Sequence, residues 1–337
     1  MTPPPPKSVC PHSPVHIRAD GVACCVEGLL ARADASALSA NTRKTYQTGW
    51  NSWARWTAAN GLASSKATVE HIRRWLASLF MEGKKPATLR TYLASVAHHL
   101  SSRRGPNPAR HPRARLALAG LVRIAADEGI TERQADPLRS HHIKQIIGAA
   151  PAPRRSQPGG RLETPEQARK RADIDIAMLV LAHNALLRCS ELLALTWADV
   201  QLSAHAGLAT ISIRRSKTDQ HAKGAAVPIS EPAAQALARL RPKDAAPDDR
   251  VFDFSPSTAR RRYKAAALAA GINPTGITTH STRIGMAQDL AADGTDIAGI
   301  MLAGRWKSHA VTVRYIQRLQ AQHTPAAQHL KTQTLNV

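Results

Sequence analysis

The sequence has few aromatic residues and few acidic ones. Phe, Trp and Tyr make up 4% of the 337 residues, while Ala and Leu are abundant, so we expect helices to outnumber strands. Lys and Arg total 46 against 24 acidic residues, a formal net charge of +22. With 43% hydrophobic residues the chain can bury cores, which excludes a wholly disordered basic protein. So large a charge on a folded chain indicates a polyanionic partner, and nucleic acid is the first candidate.

Paired cysteines, a leader and a membrane span are also missing. The four cysteines form no C-x-x-C pair and have no histidines at zinc-finger spacing, which argues against a disulfide scaffold and a zinc site. The first 22 residues include four consecutive prolines but no apolar core of a signal peptide. The longest apolar run, Ile174 to Leu187, has polar interruptions and is shorter than the roughly 20 residues of a membrane span. We therefore expect a cytoplasmic protein without membrane contact.

Hydrophobic periodicity divides the chain into two mostly helical regions. Short polar connectors separate five helical patterns in the first region, at 23–35, 41–59, 68–82, 86–102 and 112–128. Ser140 is the predicted N-cap of the first helix in the second region. The chain is thus expected to comprise a Pro-rich arm, a helical domain, a linker, a second domain and a tail, at 1–22, 23–130, 131–139, 140–323 and 324–337.

The second domain contains the only clear strand patterns. Residues 208–214 and 225–229 alternate in polarity, and a basic loop at 215–219 separates them, which predicts a small antiparallel sheet. Helical patterns occupy most of the remaining domain. The composition of residues 151–164, rich in Pro, Gly and Arg, indicates a surface loop or an insertion.

Two features of the first domain indicate where its charge lies. The spacing i, i+4, i+7, i+11 within the 41–59 helix predicts one buried face, made by Tyr46, Trp50, Trp53 and Thr57. The opposite face, which includes Lys44 and Arg55, carries positive charge only and could either contact phosphates or be solvated. No acidic residue lies between Glu82 and Asp127, although this stretch holds nine cations, Arg90 among them. Such one-signed charge is typical of a surface that faces phosphates.

Several common catalytic motifs are absent, and a different set of residues stands out. We find no GxxxxGK[ST] loop, no GxGxxG after a strand, no HExxH and no acidic cluster spaced for Mg²⁺, so we expect any chemistry to need neither metal nor nucleotide.

Arg188 follows an apolar helix and can pair with Glu191, three residues on. Lys217 falls at the tip of the predicted hairpin, and His280 and Arg283 are one helical turn apart. Each signal alone also has an ordinary structural explanation.

The order of these residues along the chain is far more specific than any one of them. Trp306 lies in the string AGRWK, and Tyr315 follows nine residues later. The ordered set resembles the active site of the tyrosine recombinases, also called the phage integrase family: Arg188, Lys217, His280, Arg283, Trp306 and Tyr315. The strings NALLR, THSTRIG and IMLAGRW look like the Cre-type branch, in which a tryptophan in a Gly-x-Trp context takes the place of a second histidine.

The resemblance covers roughly residues 35–325 and implies both a fold and an activity. The implied fold is mainly α, with a helical N-terminal core-binding (SAM-like) domain and a C-terminal α-rich catalytic domain with a small antiparallel β-sheet. The implied activity is site-specific recombination of duplex DNA through a 3′-phosphotyrosyl intermediate and a Holliday junction, by a homotetramer assembled on its DNA sites. Two alternatives stay open at this point: type IB topoisomerase-like relaxation, and a non-catalytic DNA-binding protein on the same fold.

The resemblance also implies how the reacting phosphate is held. Tyr315 would attack the phosphodiester, and Arg188 and Arg283 would bind its non-bridging oxygens in place of a metal ion. Glu191 would orient Arg188. The family reaction needs no cofactor, and its setting is cytoplasmic and nucleoid-associated, in a bacterium, phage or plasmid.

Further roles follow from the same resemblance. His280 and Trp306 would hydrogen-bond the phosphate, His280 would also accept the tyrosine proton, and Lys217 would protonate the leaving 5′ oxygen. The tail 324–337 would dock on a neighbouring subunit. A basic helix start after residue 256 is expected to reach DNA. The candidate DNA contacts are Lys44, Arg90, Ser257, Arg260 and Arg261.

Overall fold

The computed structural model describes residues 26–101, 105–130, 134–155, 159–202, 209–214 and 224–323. Three predicted features lie outside these ranges: the arm at 1–22, Lys217 in its loop, and the tail at 324–337. The chain forms two compact units that divide between Arg133 and Gln134. Among the described helices, none is long and apolar enough to cross a membrane.

In the described part of the first unit, the chain forms five α-helices. Their bounds are α1 Val26–Ser36, α2 Ala40–Ala59, α3 Val69–Met81, α4 Pro86–His99 and α5 Pro112–Asp127. Every end lies within three residues of the helical pattern predicted from the sequence. Local chemistry explains several starts, because the side chains of Ser39 and Thr68 cap α2 and α3, and proline occupies the first position of α4 and α5.

The aromatic stripe of α2 forms the centre of the first core, as its spacing predicted. Trp53 is fully buried, and its ring meets that of Trp75 edge-on with centroids 5.3 Å apart. Helices α2 and α4 pack so closely that a Cβ on Gly49 would lie 2.8 Å from the Cβ of Ser95. The opposite face of α2 is exposed at Lys44, Thr48, Asn51 and Arg55.

The described residues of the second unit form eight α-helices and three strands. The helices are α6 Ser140–Ala149, α7 Pro165–Asn184, α8 Cys189–Leu192, α9 Glu231–Leu240, α10 Pro256–Ala269, α11 Ser281–Ala292, α12 Ile297–Gly304 and α13 His309–His323. The strands are β1 Val200–Gln201, β2 Ala209–Ile213 and β3 Ala225–Ile229. The predicted mainly α fold with a small antiparallel sheet is confirmed.

The sheet has the order β1-β2-β3, with both pairs antiparallel. Its two longer strands correspond to the predicted pair, and Ala209 lies opposite Ile229 in the register. Strand β1, a two-residue strand that pairs Val200 with Ile211, was not predicted from the sequence. So short a strand has too few residues to produce a visible alternation.

Helix α7 runs through the core of the second unit and carries a buried charge. Asp175 is 1% exposed and is surrounded by three arginines, at 2.9 Å from Arg262, 3.3 Å from Arg154 and 3.5 Å from Arg171. Arg154 comes from the segment predicted as a surface loop or insertion. Its backbone N–H also donates to Glu163 at 2.9 Å, so this segment is tied to the core through its arginine.

The stretch Gln134–Arg139, part of the predicted linker, packs against the start of α11. The N–H of Asp136 donates to Gly276 O at 3.0 Å, and that of Leu138 donates to Ser281 O at 2.9 Å. Leu138 is fully buried. A Cβ on Gly285 would lie 1.8 Å from Leu138 O, so glycine is required for this close approach.

Candidate active site

Arg188 sits at a sharp turn between α7 and α8. The chain leaves α7 through Leu186, which has a left-handed backbone with φ 45°, and Arg188 then caps α8. The Arg188 guanidinium donates to Glu191 Oε1 at 2.5 Å, and its backbone N–H donates to Oε2 at 3.0 Å. The predicted Arg–Glu pair is therefore present. The carboxylate of Glu191 accepts hydrogen bonds from both the guanidinium and the backbone N–H of Arg188.

Glu191 is a buried, charged anchor for two arginines. Glu191 is 3% exposed. Arg305 donates to its Oε2 at 3.1 Å, and Arg188 donates to its Oε1. Burial would raise the pKa of Glu191, but hydrogen bonds from Arg188 and the charges of Arg188 and Arg305 outweigh it and hold that pKa below its ordinary value. The carboxylate is therefore ionised at neutral pH.

Arg283 lies on the first turn of α11, completely buried beneath an indole ring. Its terminal nitrogens donate to the carbonyls of Leu186 and Gly304, and its guanidinium carbon lies 4.6 Å from the ring centroid of Trp306. Burial lowers the pKa of Arg283 to about 10, and the nearby charge of Arg188 adds to this effect. The group still carries its charge near pH 7.

Tyr315 lies on α13, beside Trp306. The two ring centroids are 4.7 Å apart, and Trp306 is 7% exposed whereas Tyr315 is half-buried. The side chain of Gln288, on the same helix as Arg283, donates to Tyr315 O at 3.3 Å. The fold thus brings the predicted nucleophile, the tryptophan and both arginines into one cluster.

Of the other two predicted catalytic residues, His280 lies at the edge of the cluster and Lys217 lies outside the described ranges. His280 is exposed and occupies the N-cap position of α11, one turn before Arg283, with its N–H donating to Thr278 Oγ1 at 3.0 Å. Lys217 belongs to the undescribed loop between β2 and β3. In the described part of the chain, no group of three or more His, Cys, Asp or Glu is placed to hold a metal ion.

The residues that fix α11 in place were not predicted from the sequence. Asp289 accepts from Arg139 Nε at 2.8 Å, from both the N–H and the hydroxyl of Ser140 at 2.7 Å, and lies 3.1 Å from His183 Nε2. Burial would raise the pKa of Asp289, but these hydrogen bonds outweigh it and hold that pKa well below its ordinary value. Ser140 is therefore not the N-cap of α6, since Arg139 holds that position and Ser140 binds Asp289 instead.

Three candidate DNA contacts lie on the first turns of α10. Ser257, Arg260 and Arg261 are all exposed there, and the helix starts at the predicted position, with Ser255 as its N-cap. Burial raises the pKa of the Cys189 thiol, while a hydrogen bond with Thr279 and the charge of Arg260 act in the opposite direction.

The remaining two candidates lie on the first unit. Lys44 is exposed on α2, and Arg90 is exposed on α4. Arg90 lines a shallow groove together with Arg115 and Arg123 of α5. The acid-free stretch of the sequence therefore does form a basic surface.

Two family models match this chain. The phage integrase family matches residues 138–322, more than half of the sequence, and the N-terminal SAM-like domain of phage integrases matches residues 33–100. The chain therefore belongs to the phage integrase family, the tyrosine recombinases, and is a site-specific DNA recombinase. The predicted family, fold class and enzyme class are confirmed.

Individual relatives agree with this assignment. The chain is 24% identical to the recombinase Cre of Escherichia phage P1 over 316 residues, which covers 86% of this chain and 87% of Cre. Among solved structures, XerH recombinase bound to its difH substrate matches with a TM-score of 0.59 at 15% identity, covering 84% of this chain and 79% of XerH. The Tn1549 integrase in complex with transposon end DNA matches with a TM-score of 0.54 at 15% identity, covering 85% of this chain and 94% of the integrase chain.

Proposed function

We propose that this chain exchanges strands between two duplex DNA sites through a 3′-phosphotyrosyl intermediate formed on Tyr315. The observation that carries the proposal is the convergence of Tyr315, Trp306 and Arg283 with the Arg188–Glu191 pair. These residues come from separate parts of the sequence, and packing of α11 against α7, α12 and α13 brings them together. A cluster of fixed cations beside a tyrosine suits attack on a phosphodiester.

The reaction transfers a DNA phosphoryl group to Tyr315 and later transfers it back to a DNA hydroxyl. The Tyr315 oxygen attacks phosphorus and gives its proton to His280, while the bond from phosphorus to the 5′ oxygen breaks and Lys217 protonates that oxygen. A 5′ hydroxyl from the second duplex then attacks the phosphotyrosyl bond in reverse. Because a phosphodiester is exchanged for a phosphotyrosyl ester, rejoining needs no nucleotide.

The arginines stabilise the charge that develops on the phosphate. A phenol with a pKa near 10 is a weak nucleophile at neutral pH, so catalysis depends on stabilising the transition state. Arg188 is 15% exposed at its side chain and can reach the phosphate from the surface of the cluster. Each terminal nitrogen of Arg283 carries two hydrogens, of which a backbone carbonyl takes one, and the second would bind a phosphate oxygen once the cover over this fully buried residue opens.

DNA duplexes with recombination sites are the proposed partners, and the active form is a homotetramer that assembles on them. The exposed cations of α10, together with Lys44 and Arg90, would contact the duplex. XerH and the Tn1549 integrase were both solved bound to DNA, which supports this proposal. The tail 324–337 would join neighbouring subunits, and two exchanges would pass through a Holliday junction.

A nicked suicide substrate tests the proposal. A binding site is first selected from a randomised DNA library, and a nick is placed so that the short cleaved strand with its 5′ hydroxyl diffuses away. Wild type should form a denaturant-resistant adduct, whereas Tyr315→Phe should bind the same site and form none. An adduct formed equally well by Tyr315→Phe would overturn the assignment. On a plasmid with two sites, relaxation without recombinant product would instead support a topoisomerase.

A further inference from the structure

Arg305 has an unusual backbone for a residue with a long side chain. It ends α12 with φ 53° and ψ 43°, the left-handed conformation that glycine adopts without strain. Within the described ranges, Leu186 is the other non-glycine residue with positive φ. Arg305 Nη2 donates to Leu186 O at 3.1 Å, so the two strained positions are bonded to each other.

The Arg305 side chain is largely buried and makes four hydrogen bonds, one within α12 to Ala303 O and three to the segment around α8. It is 14% exposed. Nη1 donates to Ala185 O at 3.0 Å, and Nη2 donates to Leu186 O and to Glu191 Oε2, both at 3.1 Å. These three acceptors lie on the turn between α7 and α8 and on α8 itself. Arg305 therefore joins the end of α12 to the segment that presents Arg188.

Two of the contacts of Arg305 are shared with residues proposed to bind phosphate. Glu191 gives Oε2 to Arg305 and Oε1 to the guanidinium of Arg188. Leu186 O accepts from Arg305 and also from Arg283. Loss of Arg305 would leave one oxygen of a buried carboxylate without its cation, and the carboxylate could then rotate and carry Arg188 with it.

We propose that Arg305 is a positioning residue that holds Arg188 and Arg283 in register around the scissile phosphate, through Glu191 and the Leu186 carbonyl. The inference rests on the proposed function, because it concerns the residues assigned to the phosphate. Arg305 does not touch the phosphate itself. Its removal should therefore slow cleavage while DNA affinity stays nearly unchanged.

Three substitutions at this position test the proposal. Arg305→Gly removes the side chain and also relieves the backbone, so folding should be preserved. Arg305→Met keeps an apolar stem without the charge, and Arg305→Lys keeps the charge but cannot reach all three acceptors. Arg239→Ala is the control, because it deletes a partly exposed arginine on α9 that pairs with Asp173 at 2.8 Å.

The measurements are the single-turnover rate of adduct formation at saturating protein, the Kd for the site and the melting temperature. Arg305→Gly and Arg305→Met should cleave about 100-fold more slowly than wild type, as expected for misplaced catalytic groups, with Kd changed less than about threefold. Arg305→Lys should recover part of the rate. Arg239→Ala should cleave like wild type.

Two results would contradict the proposal. One is cleavage by Arg305→Gly within about twofold of the wild-type rate. The other is a slow rate in every Arg305 variant that disappears when activity is corrected for the folded fraction, which would make the role purely structural. Failure of the proposed function differs from both, because wild type itself would then form no adduct on Tyr315.

Discussion

The guanidinium of Arg283 is covered by the ring of Trp306, with 4.6 Å between the guanidinium carbon and the ring centroid. A cation over the face of an indole is attracted by the negative electrostatic potential of the π face, most strongly where water is excluded. The same ring lies 4.7 Å from that of Tyr315. Trp306 therefore contacts both the cation and the nucleophile of the proposed reaction.

Trp306→Ala should lose both stability and activity. The side chain is 7% exposed, and deleting a buried tryptophan typically lowers the free energy of unfolding by about 3–5 kcal/mol. Trp306→Phe keeps an aromatic face for Arg283 but has no indole N–H, so it should recover much of the stability and less of the cleavage rate. Urea unfolding and single-turnover cleavage measure the two effects. Wild-type stability in Trp306→Ala would contradict this packing.

Gly285→Ala should displace α11 from the segment 134–139. A Cβ there would lie 1.8 Å from Leu138 O, and the backbone cannot give way as a flexible side chain can. We expect a loss of unfolding free energy of about 3 kcal/mol or more and a lower cleavage rate, because α11 carries Arg283. The control is Gly148→Ala in α6, where nothing lies within 4 Å. There, replacing glycine should stabilise the protein by up to about 1 kcal/mol. Equal effects at both sites would contradict the close approach.

Because of Asp289, the free energy of unfolding should decrease at acidic pH. Its pKa is lowered in the folded protein, so its contribution is complete above the unfolded value of about 3.9 and is lost as pH falls below that value. Asp289→Asn should lower the unfolding free energy at pH 7 by about 3–5 kcal/mol, as for a buried ion pair that loses one partner. The difference from wild type should shrink as pH falls from 4 towards 2. A gap that does not change with pH would contradict this account.

DNA binding should depend steeply on salt. Each phosphate neutralised by a lysine or arginine releases counterions, so the logarithm of the binding constant falls linearly with the logarithm of salt concentration. Lys44→Ala and Arg260→Ala should each reduce the magnitude of that slope by about 1. Arg239→Ala should leave the slope unchanged. Slopes that are the same in all four proteins would contradict the placement of these cations at the DNA.

Periodic features of the sequence predicted the fold well. The stripe that includes Trp53 identified a buried face, because a helix repeats its contacts every 3.6 residues. The alternation at 209–213 and 225–229 identified two strands for the same kind of reason. The order of Arg188, Arg283 and Tyr315 along the chain was enough to predict the candidate site, although each residue alone was a weak signal.

Contacts between distant residues were not predictable in this way. Asp175 and His183 interrupt the apolar run and were used only to exclude a membrane span, yet each is buried and has a charged side-chain partner. A polar residue in an apolar helix signals that a partner exists but does not identify it. Arg305 gave no signal at all, because a left-handed backbone is expected at glycine rather than arginine.

Mapping the covalent adduct tests the central claim most directly. Wild-type protein trapped on the nicked substrate is digested with protease and nuclease, and the modified peptide is sequenced by mass spectrometry. We predict a nucleotide linked through its 3′ phosphate to Tyr315. A nucleotide attached to any other residue, or a DNA end linked through its 5′ phosphate, would contradict the account.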